Sequence, residues 1–269
     1  MSFFNVVRNW MDYPLRNQLR LSRKGLQFKN ESKEDLFHNL PDSLRQRALK
    51  LEIRLRTDYH LTTYYHSSRK THYQESIYYL HLLETALEVV PVNLPEVISA
   101  VDIGVSHWFY IQALYALLAW WKAPEPRHVK LDGYEIDAFR LYADLYSRLD
   151  HAQAHIDGLP GVTYHPDAFS PNTASCHLAL MLFPFVTRKE HLKWGLPARF
   201  YNPQQLLLDA YETLQPAGLL ILVNQGEEER DSQHAMLDSI GLDVSASINF
   251  ESPLFTYKLP RFITVVKHD

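Results

Sequence analysis

Across residues 33–65, apolar side chains recur every three or four positions at Leu36, Leu40, Leu44, Ala48, Leu51 and Leu55. This spacing predicts helix, divided by Pro41. A second helical face, Tyr73, Ile77, Leu80, Leu83, Leu87 and Val90, spans residues 72–90, and Pro91 and Pro95 end it. Beyond these prolines the period changes. Short apolar runs predict strands at 98–103, 128–136, 161–164, 176–183, 219–223, 244–250 and 262–267. Helical patterns lie between them at 107–121, at 138–149 (Ala138, Leu141, Tyr142, Leu145, Tyr146 and Leu149) and at 203–214 behind Asn202 as cap. The segment 215–218 should stop that helix, and a further helix at 229–240 should end at Gly241.

Strands alternating with helices imply a parallel sheet covered on both faces. The last two strands lack a helix between them, so they should form an antiparallel pair at the end of the sheet. The expected organisation is a helical cap over residues 1–95 and an α/β domain over 96–269. Glycine usage agrees with this division, because eight of the nine glycines in 269 residues lie after residue 103, where tight turns are needed.

With 46% apolar and 13% aromatic residues, the chain can bury a sizeable core, which excludes a disordered, collagenous or coiled-coil protein. The single cysteine, Cys176, excludes an intramolecular disulfide and a cysteine-rich zinc site, and no metal is expected. Arginines interrupt the amino-terminal apolar residues, and the longest apolar stretch, 111–121, is too short to span a bilayer. A soluble cytoplasmic protein without a membrane partner is the expectation. Charge is uneven: residues 1–70 hold 14 Lys+Arg and 7 Asp+Glu, whereas the chain as a whole has 27 and 31. The basic segment suits either a polyanion or docking on the chain's own acidic remainder, and the interleaving of its charges favours docking.

In open α/β sheets, ligands bind at the carboxyl ends of the strands where the strand order reverses. An acid closes or follows each of the first three strands: Asp102 before Gly104-Val105-Ser106-His107-Trp108, Glu135 before Ile136-Asp137, and Asp167 before Ala168-Phe169. With the turn Leu214-Gln215-Pro216-Ala217-Gly218 and the closing strand pair, this order resembles the class I S-adenosylmethionine-dependent methyltransferases over residues 96–269.

The resemblance implies a Rossmann-like α/β fold with a seven-stranded mixed sheet, and S-adenosyl-L-methionine as cofactor. It implies cofactor contacts at Asp102, Gly104, Ser106, Glu135, Ile136, Asp167 and Ala168. Gly104 would let backbone approach the methionine part, Glu135 would accept from the ribose hydroxyls, and Asp167 from the adenine amino group. Ser106 and Trp108 stand where the family pattern has its second and third glycines. Dinucleotide binding fits worse, because only Gly104 matches its glycine pattern and the acid comes 31 residues later.

The acceptor region follows the fourth strand. It comprises Phe183, Pro184 and Phe185, with Trp194 in the basic, aromatic segment 187–201. The expected activity is methyl transfer to an unidentified acceptor, with a small molecule preferred to RNA. The alternatives are a catalytically inactive binding module of the same fold and an RNA methyltransferase that uses the basic amino-terminal segment. No catalytic base is identified: His107 and His165 adjoin the loops, but a structural role is the default for each of 14 histidines. The tyrosines at 59, 64, 65, 73, 78 and 79 read as a partly buried helix face rather than a lid.

Overall fold

A computed structural model of the chain describes residues 3–268, with side chains from Val6 onward. Four helices come first: α1 (Phe3–Leu19), α2 (Asp42–Asp58), α3 (Thr62–Ser67) and α4 (Lys70–Glu88). β1 (Val97–Ile103), α5 (Ile111–Trp120), β2 (His128–Tyr134), α6 (Arg148–Ile156), β3 (Val162–His165) and β4 (Cys176–Leu182) follow. The chain closes with α7 (Arg188–Lys193), α8 (Pro203–Glu212), β5 (Leu214–Gln225), α9 (Gly226–Ser239), β6 (Ala246–Phe250) and β7 (Arg261–Lys267).

The strands form one sheet in the order β3-β2-β1-β4-β5-β7-β6. The first five are parallel, and β7 runs antiparallel between β5 and β6. Ile98, Ala100, Leu131, Leu178, Leu180, Ile221 and Ile263 face a core shared with α4 and α5. The alternate residues Val101, Ile103, Ala179, Met181, Leu220 and Leu222 pack with Leu207 of α8 and Leu237 of α9. The period-two alternation thus supplies both cores, as a doubly wound sheet requires.

Helix α4 is apolar nearly all round because it is covered nearly all round. Tyr73, Ile77, Leu80, Leu83 and Leu87 are buried, as are Glu84 and Ser76. The buried acid is paired: the Arg54 guanidinium of α2 donates to both Glu84 carboxylate oxygens, at 2.6 and 2.5 Å, and the Tyr59 hydroxyl donates at 2.8 Å. Tyr59, Tyr73, Tyr78 and Tyr79 are all buried, so this tyrosine face is core rather than lid.

Three local expectations change. Residues 138–147 keep a helical period but are not helix, because Ala138 and Phe139 are buried in a loop and Leu145 is left-handed at φ 64°. Helix begins only at Ser147, where a reciprocal cap forms: Asp150 N–H donates to Ser147 Oγ at 3.2 Å and Ser147 N–H to Asp150 Oδ2 at 2.7 Å. The turn expected at 215–218 lies inside β5, with Ala217 left-handed at φ 64°. Third, residues 34–40 form turns rather than the first part of a helix ending at Pro41. Helix α1 lies within the expected helical cap but has no counterpart among the individually predicted helices.

Candidate functional site

Sheet order reverses between β1 and β4, so the candidate site lies where both strands end. The chain leaves β1 through Gly104, an exposed residue at φ +82° with nothing within 4 Å of where a Cβ would stand. Its N–H donates to Tyr134 O at 2.8 Å, which ties the loop to the end of β2. Ser106 and Trp108 are then left-handed at φ 54° and 52° without being glycine. Such conformations persist only where surrounding contacts hold them.

Those contacts are specific. Trp108 is fully buried, and its indole N–H donates to Asp102 Oδ2 at 2.8 Å. The Tyr110 hydroxyl donates to the same oxygen at 2.7 Å. The ring lies against Gly133 of β2, where a Cβ would stand 2.5 Å from the Trp108 ring. A β2 glycine is therefore needed to admit the tryptophan. Gly133→Ala should lower stability by about 1–3 kcal/mol, the cost of overpacking a filled core, measured by urea denaturation. Burial pushes the Asp102 carboxyl up to about 7, and the hydrogen bonds from Tyr110 and Trp108 only partly oppose that rise. Asp102 is wholly buried, so it anchors the loop from beneath.

Glu135 is 4% exposed and heavily bonded. Ser106 N–H donates to Oε2 at 2.7 Å; Asp137 N–H donates to Oε1 at 2.8 Å and Arg148 Nη1 to the same oxygen at 3.2 Å. The neighbouring Asp137, also buried, pairs with Arg16 of α1 at 3.0 Å and with Arg140 at 2.9 Å. Arg148 lies 3.7 Å from it and stacks over Trp194 at 4.5 Å. Three arginines thus surround two acids in a dry cluster at the end of β2.

Helix α1 is part of this arrangement. The Tyr13 hydroxyl donates to Ile136 O at 3.0 Å, and Asn9 Nδ2 donates to Leu192 O and Leu196 O at 2.7 and 3.1 Å. Further along, Ser22 Oγ and Arg23 N–H donate to Asp150. The basic amino-terminal segment accordingly docks on acids of the α/β part. This cover is the feature of the site that the sequence reading missed. The spacing of Asn9, Tyr13 and Arg16, three polar groups on one helical face, was the available signal.

The remaining candidates are spread around this centre. Asp167 and Ala168 are exposed in the segment after β3, and Phe169 packs edge-on against Tyr134 at 5.2 Å. Phe183 is left-handed at φ 59°, beneath the Arg261 guanidinium at 4.8 Å. Phe185 meets Trp194 at 5.7 Å, whereas Pro184 is half-buried and its carbonyl accepts from Val186 N–H at 2.9 Å. His107 Nδ1 and the Tyr142 hydroxyl share a hydrogen bond of 2.9 Å; burial, with help from His151 and His72, pushes the imidazole down to about 4, which makes it a weak base. His165 is paired with Asp132 at 2.6 Å. No group of three or more metal-ligating side chains occurs among the described residues.

The cofactor implied by the resemblance can be tested against this geometry. Gly104 leaves the room that a close backbone approach requires. A carboxylate offers about four acceptor positions, and Glu135 has given three to the chain itself, so one remains for a ribose hydroxyl until Arg148 yields Oε1. The residues fit the cofactor at Gly104 and in part at Glu135.

No protein-family model matches the chain, and no curated protein matches it. Solved structures of similar fold include a SAM dependent methyltransferase from Aquifex aeolicus, 12% identical, covering 70% of this chain and 87% of that one with a TM-score of 0.49. Another is an S-adenosylmethionine dependent methyltransferase from Mesorhizobium loti, 11% identical, covering 68% and 96% with a TM-score of 0.44. The cyclase SpnF is 9% identical, covering 70% and 80% with a TM-score of 0.48. These are likenesses of fold, and a fold hosts more than one chemistry. By its own topology the chain is a Rossmann-like α/β protein, with five parallel strands and the closing antiparallel pair that the sequence resemblance implies.

Proposed function

We propose that the chain binds S-adenosyl-L-methionine at the carboxyl ends of β1 and β2 and transfers its methyl group to an acceptor, with a small molecule preferred to RNA. The observation that supports this reading is the open, left-handed Gly104 at the point of strand reversal, in a loop that Glu135 grips through Ser106 N–H. Gly104 would lie under the methionine part, Glu135 and Ile136 beside the ribose and adenine, and Asp167 and Ala168 at the adenine edge. When bound, the cofactor supplies an electrophilic methyl on a sulfonium. The chain's share is orientation and exclusion of water, which suits displacement reactions. Phe185 and Trp194 offer apolar walls to an acceptor, and Phe183 borders them.

A second reading, a module of this fold that binds without catalysis, is favoured by one observation: Trp108 is locked between Asp102 and Gly133, and Glu135 is largely consumed by the chain. Titration calorimetry with S-adenosylhomocysteine separates the outcomes. The parent should bind, and Asp167→Ala, an exposed substitution that leaves thermal stability unchanged, should weaken binding by about 1–3 kcal/mol. Absence of heat from the parent overturns the cofactor assignment. Binding without methyl transfer to any member of an acceptor panel leaves the module.

A further inference from the structure

Helix α1 is seated the wrong way round for an ordinary surface helix. Such helices bury an apolar stripe and show polar residues to water. Here the buried or half-buried side is Asn9, Tyr13 and Arg16, which bond to Leu192 O, Leu196 O, Ile136 O and Asp137. The opposite side carries Val7, Trp10, Met11, Leu15 and Leu19, exposed at 39, 65, 60, 54 and 56%. On a helical projection these five fall within one half-turn of the surface, and Leu21 at 51% extends the stripe past the helix.

Charge selects the occupant of this face. Residues 1–30 contain six basic side chains and one acid, Asp12. Of the basic residues, Arg8 is exposed on the same side of the helix as the stripe, and Arg20, Arg23 and Lys24 are exposed where the chain leaves the helix, Arg20 over the Phe139 ring and Arg23 over the Tyr146 ring. A second copy meeting this face through a two-fold axis would bring together two segments that each carry this excess of positive charge. An anionic bilayer surface instead accepts arginine at the headgroups and Trp, Met and Leu at the acyl boundary. We propose that α1 is an interfacial helix that seats the protein on an anionic lipid surface. No described helix is long and apolar enough to cross a membrane; α1 lies along one, its polar side still fastened to the ends of β2 and α7. This places the carboxyl ends of β1 and β2 on the bilayer side of the molecule.

Co-sedimentation of the full chain with vesicles tests the proposal. The parent should bind phosphatidylcholine vesicles containing about a third phosphatidylglycerol, bind pure phosphatidylcholine far less, and lose affinity as salt is raised. Trp10→Ser with Leu15→Ser should weaken binding to the anionic vesicles at least about tenfold at an unchanged melting temperature, because both side chains are solvent-facing. Three results overturn it: no binding of the parent to anionic vesicles, equal binding of the variant, or a parent dimer in solution that the variant dissolves. None of these readouts depends on S-adenosylhomocysteine binding.

Discussion

Arg148→Ala should lower the unfolding free energy by about 3–5 kcal/mol, the scale for removing one partner of a buried ion pair. Arg148 is 2% exposed and faces Glu135 and Asp137, whose side chains are 5% and 0% exposed. Asp137 retains Arg16 and Arg140 after the substitution, but Glu135 loses its only cationic partner among the described residues and remains buried. The cost is chiefly that of the stranded carboxylate. Arg148→Met combined with Glu135→Gln removes both charges and should therefore lose much less than the two single changes together. Urea denaturation of the four proteins gives the coupling directly. Additive losses would show that Glu135 is sustained by Ser106 and Asp137 N–H alone.

The second large effect is one of pH. Asp102, pushed up to about 7 by burial, holds in the folded chain a proton that the unfolded chain releases near its ordinary 3.8. The folded form thus binds more protons across that window, so this group's contribution makes stability fall as pH rises from about 4 to 7, and the loss is complete above about 7. Asp102→Asn keeps an oxygen for the Trp108 and Tyr110 donors and resembles the protonated acid. The variant's stability relative to the parent should rise by about 2–3 kcal/mol between pH 5 and pH 8, because the loss accrues at about 1.4 kcal/mol per pH unit until the folded-state value near 7 is passed. A stability difference that stays constant between pH 5 and pH 8 would place the Asp102 titration outside that window.

Asp102 fixes the first loop from below through Trp108 and Tyr110, and Glu135 fixes it from the side through Ser106. Both acids are recognisable from their positions at strand ends, and both are buried there. Their partners are not, because each lies elsewhere along the chain: Trp108 six residues after Asp102, Arg148 thirteen residues after Glu135, and the Arg16 that pairs with neighbouring Asp137 on a helix more than a hundred residues earlier.

Short apolar runs sufficed to locate the seven strands, since a central strand buried on both faces reads as a continuous apolar stretch, and the absence of a helix before the last strand implied the antiparallel closure. Residues 138–149 show where periodicity misleads: Ala138 and Phe139 are apolar because a loop buries them, while the Ser147 and Asp150 cap starts the real helix nine residues later. Helix α1 shows the converse. Its apolar stripe is present in the sequence, but only docking decides which side faces inward, and hydrogen bonds from Asn9, Tyr13 and Arg16 outcompete apolar burial there. Local spacing therefore determined the elements and the acids that end them. Tertiary contact alone decided whether each acid faces a ligand or another side chain, because burial and pairing depend on groups brought together from distant parts of the chain.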